Sequence, residues 1–215
     1  MTSRSYRELC PIARTSDLLG ERWTVLIIRE LLLGPKRFSD FRERLPSMGT
    51  NRLSERLTTL CDAGVVERLG RTEGYALTPW GEGLRPILFD IVRWGFPLLL
   101  QREEGDASRA EIITLGLTAL LPPAADAIGV QETYAFSIDD EHFHVSFEEG
   151  RYRAASGLPD APADGTVTGS IAAFLDTVMG GEGGAEQLQI VADPAARDRI
   201  LALLGAPAVL AAAHA

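Results

Sequence analysis

Residues 48–78, MGTNRLSERLTTLCDAGVVERLGRTEGYALT, carry two different periods in succession. Leu53, Leu57, Leu60 and Cys61 recur at i, i+4, i+7 and i+8, the buried face of a helix that Gly49 can open and Gly64 can close. Thr50, Asn51, Arg52, Ser54, Glu55, Arg56 and Thr59 then point elsewhere. After Gly64 the pattern shifts to two short strands, Val65 to Leu69 and Tyr75 to Leu77, joined by GRTEG, which predicts a hairpin with Arg68 and Arg71 near its tip.

On the N-terminal side, three shorter helices are predicted. Pro11 to Leu19 is closed by Gly20. Glu21 to Leu33 has Trp23, Leu26, Ile27, Glu30 and Leu31 in register and is stopped by Gly34-Pro35, and Phe38 to Leu45 is ended by Pro46. On the C-terminal side, Glu82 to about Leu100 reads as one long helix with Leu84, Ile87, Leu88, Ile91, Trp94 and Leu98 on a broad apolar stripe. That stripe is longer than a small helical unit can cover, so Ile91, Trp94 and Leu98 are expected to pack on a second copy of the chain.

Two helices, a short connection between them and a hairpin after the second form the order of a winged helix-turn-helix, in which the second helix reads base edges and the wing approaches the backbone. The chemistry fits that role. Arg52 or Arg56 can fork onto guanine, Asn51 can pair with adenine, Thr50 and Ser54 can take bases or phosphates, and Arg68 and Arg71 can meet phosphates. A solvated amphipathic helix would also carry arginines, so the assignment rests on element order, wing and charge together.

The charge balance is lopsided. The net charge is -9, yet residues 1–100 hold 15 Lys+Arg against 12 Asp+Glu and the remainder holds 6 against 18. Lys36 is the only lysine beside 14 arginines in the first part. Screening acts over about 10 Å, so a basic first half can face a duplex while the acidic half points away.

The marks CPIARTSDLLGERWTVLIIRELLLGPKRFSDFRERLPSMGTNRLSERLTTLCDAGVVER and LTPWGEGLRPILFDIVRWG resemble the HxlR-type bacterial regulators, over residues 10 to about 96. The chain departs from that pattern at Gly49, where a serine is usual, and in a shorter wing. The resemblance implies a homodimer, built through terminal helices, that binds a roughly palindromic operator. It also places Cys10 where some such regulators carry a redox-responsive cysteine. A sensing thiol needs exposure and nearby positive charge, which Arg7 and Arg14 can supply.

QREEGDAS, residues 101–108, reads as a polar linker. Beyond it a helix from Ile112 to Leu121 is stopped by Pro122-Pro123. TYAFSID, HFHVSF and RYRAAS then alternate as an antiparallel meander, followed by a strand TVTG, a helix SIAAFLDTVMG, a GGEGG loop, a strand EQLQIVA and a last helix PAARDRILALLG. These stretches resemble a sterol-carrier-protein-2-type domain over about 130 to 205. That resemblance implies a sheet with helices over an apolar cavity, for which Phe136, Phe143, Phe147, Phe174, Leu175 and Met179 are the lining candidates. Any small α+β core would want the same residues.

The expected fold class is therefore α+β, with a winged helix-turn-helix and dimerisation domain over residues 1–103 and an SCP2-like domain over 108–205. The expected function is a cytoplasmic, homodimeric transcription regulator, by default a repressor, whose partners are double-stranded operator DNA and an apolar small-molecule effector. A lipid-like carrier in which DNA binding is secondary, and a thiol sensor acting through Cys10, are the alternatives. His142 and His144 project to one side of a strand without a third ligand, so no metal is expected. GGEGG lacks the lysine of a phosphate loop, and GxSxG, HExxH and paired-cysteine motifs are missing, so neither a cofactor nor an enzyme activity is expected. No run approaches the roughly 18 apolar residues that span a bilayer.

Overall fold

The computed structural model describes residues 5–70, 73–100, 109–121, 129–181 and 183–205. Two compact units divide after Leu88, one of residues 1–88 and one of residues 89–215.

The first unit opens with α1 (Pro11–Leu19), α2 (Thr24–Leu32) and α3 (Phe38–Arg44), followed by α4 (Thr50–Asp62). A two-stranded hairpin of β1 (Val66–Leu69) and β2 (Gly74–Leu77) comes next, and then the single turn α5 (Pro79–Glu82). Ile27, Ile28, Leu31, Phe41, Leu53, Leu57 and Leu60 are almost wholly buried and form the core. Each such aliphatic side chain contributes roughly 2 kcal/mol through burial. Glu30, which falls in register with these apolar residues, is buried too. Arg29 lies 2.6 Å and Arg44 3.6 Å from its carboxylate, and the second of these contacts ties α2 to α3.

The helix expected from Glu82 to Leu100 is broken. After α5 the chain restarts as α6 (Arg85–Gly95) and tightens into a 3-10 turn over Phe96–Leu100. Prolines explain both interruptions. Pro86 has no N–H to give the Glu82 carbonyl, and Pro97 has none for that of Arg93. Of the expected stripe, Leu88 is buried, whereas Ile87, Ile91 and Trp94 of α6 and Leu98 in the turn after it are 48%, 49%, 79% and 60% exposed.

The second unit begins, after the rest of α6, with α7 (Ala110–Leu120), then β3 (Gln131–Ile138), β4 (Glu141–Glu148), β5 (Arg151–Ser156), β6 (Gly165–Gly169), α8 (Ile171–Val178), α9 (Gly184–Gln187), β7 (Gln189–Ala192) and α10 (Pro194–Leu204). The short α9 takes the last glycine of the expected GGEGG loop and the first two residues of the expected strand EQLQIVA, whose extended part begins at Gln189. The sheet order is β5-β4-β3-β6-β7. The expected meander β3-β4-β5 is antiparallel, whereas β6 lies parallel to β3, with Phe136 opposite Val167, and β7 returns antiparallel to β6. A parallel neighbour requires a long connection back to the same end of the sheet, which strand alternation alone does not reveal. One face is buried: Tyr134, Phe136, Ile138, Phe143, Val145, Phe147, Ala154 and Val167 point inward. Against it α7 packs on β4 and β5, and α10 packs on β7.

Candidate nucleic-acid interface

Helix α4 turns its polar side outward because Leu53, Leu57 and Leu60 hold the other side in the core. Its N-terminus has no side-chain cap: Gly49 is extended at φ -64° and ψ 144°, so the first N–H groups remain available to an external acceptor. Thr50, Asn51, Arg52 and Ser54 are all exposed at this end. Arg52 has no ion pair among the described residues. Arg56 is placed differently. Its side chain is only 13% exposed and contacts the Glu55 carboxylate at 3.1 Å, so it is partly committed before any ligand arrives.

The hairpin is fastened to the helical bundle by its backbone. Lys36 N–H donates to the Tyr75 carbonyl at 2.9 Å and Tyr75 N–H returns a bond to the Lys36 carbonyl at 2.8 Å. The chains approach so closely at β2 that a Cβ on Gly74 would lie 2.4 Å from the Lys36 oxygen, with φ at +102°; only glycine serves there. The Lys36 ammonium is buried and donates to the Gly34 carbonyl at 3.1 Å.

Arg68 projects from β1 and is held in place. Its guanidinium donates to the Tyr75 hydroxyl at 2.6 Å and lies 5.2 Å from that ring's centre, and the hydrogen bond strengthens its hold on its proton. Tyr75 is itself packed edge-on against Phe41 at 6.3 Å. Arg71, expected at the wing tip, lies outside the described residues.

Sequence reasoning passed over a further feature. Arg37, Ser39, Ser54, Arg68, Gly74 and Tyr75 line a polar groove of about 400 Å³. Arg37 and Ser39 sit at the start of α3, a position with no helical period to flag it. The guanidinium of Arg37 makes no ion pair among the described residues, and its backbone N–H is taken by the Asp40 carboxylate at 2.7 Å.

The other expected residues fall as follows. In the second unit Phe136, Phe143, Phe147 and Phe174 are fully buried. Phe136 stacks on Phe143 with centroids 4.8 Å apart, and Phe147 lies 4.7 Å from Tyr152. Leu175 is half-buried and Met179, just past α8, is 49% exposed. Beside the phenylalanines lies a polar knot: Arg199 donates to both oxygens of the Glu132 carboxylate, Tyr134 donates to the same carboxylate, and Tyr152 donates to the Arg199 carbonyl at 3.0 Å. Burial pushes the Tyr152 hydroxyl up to about 12 and raises that of Tyr134 as well.

His142 and His144 share the outer face of β4. His142 Nδ1 meets Ser137 Oγ at 3.2 Å, and His144 Nδ1 faces the Gly157 carbonyl at 2.8 Å. Among the described residues no group of three or more histidines, cysteines and carboxylates converges. Cys10 is partly exposed at the N-terminal end of α1. No described helix is long and apolar enough to cross a membrane.

Against known proteins, the family described as HxlR-like helix-turn-helix matches residues 18–103. The uncharacterized HTH-type transcriptional regulator YvaP of Bacillus subtilis is 41% identical over 93 residues, covering 40% of this chain and 86% of that protein. The HTH-type transcriptional regulator YodB of the same organism is 36% identical over 92 residues, covering 40% and 82%. The crystal structure of quinone-bound YodB aligns at 36% identity over 41% of this chain and 99% of that chain, with a TM-score of 0.39. Residues beyond 103 lie outside the family match.

Proposed function

From the premise that this chain belongs to the HxlR-like helix-turn-helix family of transcription regulators, we propose that it is a homodimeric repressor whose α4 reads an operator and whose second unit binds an apolar effector. The observation that carries the DNA reading is the uncapped, exposed start of α4, with Thr50, Asn51, Arg52 and Ser54 gathered beside a wing arginine already oriented by Tyr75. In this reading Arg52 and Asn51 meet base edges, Ser54 and Thr50 bases or phosphates, and Arg68 and Arg71 phosphates. Arg56 joins them by exchanging Glu55 for a phosphate or a guanine. Selection from a random duplex pool, followed by binding over a salt series, tests it. A selected sequence bound more tightly than its scramble is the expected result, and equal, weak binding to both would sink operator recognition.

Dimerisation through Ile91, Trp94 and Leu98 is supported by the exposed face of α6, where Ile87, Ile91 and Trp94 recur at spacings of four and three, and by the exposed Leu98 in the turn that follows. That is a seam suited to a second helix. Sedimentation at micromolar concentration reads it directly.

For residues 108–205 the reading is an SCP2-like domain that takes an apolar small molecule among Phe136, Phe143, Phe147, Phe174, Leu175 and Met179. A helix-covered mixed sheet with an aromatic interior supports it, and the half-exposed Met179 marks the way in. Because the phenylalanines pack on one another, a ligand has to displace them, which ties occupancy to a change of shape that can reach the DNA-binding unit. Native mass spectrometry of the purified chain shows any co-purified ligand and the dimer mass together.

A thiol-sensing reading is favoured by the partly exposed position of Cys10 one helical turn before Arg14. Under that reading oxidants weaken DNA binding by the wild type and leave Cys10→Ser unaffected.

A further inference from the structure

The groove between the start of α3 and the wing is built from three separate elements. Arg37 and Ser39 come from the first helix of the helix-turn-helix, Arg68 and Tyr75 from the wing, and Ser54 from α4 closes the remaining side. An arginine thus lines the groove on each wall, with Ser39 and Ser54 on the helical side. The arrangement does not depend on a flexible loop. Tyr75 fixes the wing to Lys36 by two backbone bonds, and the same residue's hydroxyl and ring hold Arg68. On the α3 side the Asp40 carboxylate accepts from the Arg37 backbone N–H at 2.7 Å and the Ser39 hydroxyl at 3.3 Å. On the wing side Glu73 lies beside Gly70.

We propose that Arg37 and Arg68 grip one and the same phosphate of the DNA backbone, with Ser54 donating to a remaining oxygen and Ser39 exchanging its Asp40 acceptor for another. This rests on the DNA-binding reading above and goes beyond it. It assigns Arg37 and Ser39 to the interface, and it makes the wing and the helix-turn-helix share a single anchor instead of holding separate phosphates. A phosphodiester oxyanion suits two guanidinium forks, because each can present paired N–H donors to it. A shared phosphate fixes the distance between the α4 contacts and the wing contacts along the backbone, and so sets the register in which α4 enters the groove.

The test uses the full chain and two duplexes of equal length, one selected from a random pool and one unrelated. Arg37→Ala and Arg68→Ala each weaken both duplexes alike by roughly tenfold. The double variant is little worse than the single ones, and the slope of log K against log salt falls by about 0.9 in total. A slope loss of about 1.8, with additive effects, would mean two separate phosphates and would overturn the shared anchor. An unchanged slope in Arg37→Ala while Arg68→Ala loses affinity would remove Arg37 from the interface. Failure of the wild type to bind any duplex would refute the DNA reading itself, which separates the two. Stabilisation of the wild type by inorganic phosphate over chloride at equal ionic strength, with DNA binding untouched in both variants, would assign the groove to a free anion and overturn the proposal. Both side chains are exposed, so unfolding midpoints should hold. If an alanine variant proves unstable, Arg37→Lys and Arg68→Lys keep the charge, and they should retain the wild-type slope while losing affinity.

Discussion

Arg52 in the first unit and Arg199 in the second put the same side chain to opposite uses. In the first, Arg37, Arg52 and Arg68 stand exposed at or beside the start of α4, and only Arg29 and Arg44 are spent on a buried carboxylate. In the second, Arg199 is drawn against the aromatic interior, where both oxygens of Glu132 and the ring of Phe147 receive it. An exposed guanidinium is a binding group whose partner is external. An enclosed one is a structural tie, because its pairing is complete and removing either partner strands a charge. Net charge alone would have obscured this: the acidic second unit contains an arginine that contributes nothing to attraction of DNA.

The largest expected effect sharpens the comparison where α6 passes from one unit into the other. In the proposed dimer, Trp94→Glu or Leu98→Glu puts a charge into the interface and should cost it about 4 kcal/mol. Sedimentation should show monomers, and DNA affinity should fall with the loss of one half-site. A variant that remains dimeric would place the interface elsewhere.

Next comes the structural tie. Arg199→Ala leaves Glu132 and the Tyr134 hydroxyl without their cation and should cost the second unit about 3 kcal/mol, read as a lower urea midpoint. DNA binding should be nearly unchanged. If DNA affinity collapsed instead, the division between a binding arginine and a structural one would be broken.

Arg52→Ala is the converse experiment. Loss of a bidentate base contact costs about 1–3 kcal/mol against the selected duplex and relaxes the preference at one base pair, while unfolding is unaffected. A uniform loss across all sequences would make Arg52 a phosphate contact.

The smallest effect concerns pH. Tyr152 is held at about 12 because burial disfavours its phenolate, whereas an unfolded tyrosine titrates near 10. A raised value in the folded state means the stabilisation is complete below pH 10 and is lost as pH climbs from 10 to 12, and because the ring is partly open to solvent the loss stays well below the full linkage value. The second unit should therefore weaken over that window, and Tyr152→Phe should flatten its share of the dependence. An unaltered slope in that variant would assign the alkaline loss to other groups, Tyr134 first.

Much of this was readable from local pattern. The bounds of α1, the capping glycine and buried leucines of α4, the hairpin after it and the β3-β4-β5 meander all follow from a period and its punctuation, and the HxlR-like resemblance rests on the same residues. The Glu82 to Leu100 helix was overread because its apolar stripe continues across Pro86 and Pro97, and side-chain periodicity is blind to a missing N–H. Glu30 looked like a polar residue on an apolar face. Its burial depends on Arg44, which comes from another helix.

The sequence by itself determined most of the helices and strands and which of their faces is apolar, since both depend on residues within one or two turns of each other. Tertiary structure alone decided that β6 lies between β3 and β7 and runs parallel to β3. It also decided that Lys36 is buried, and that Arg37 and Arg68 face one groove. These are meetings of residues some thirty positions apart, and no local preference encodes them. They arise when the apolar faces close on a common core and the chain's remaining polar groups must find partners, or a shared opening to solvent, wherever that closure leaves them.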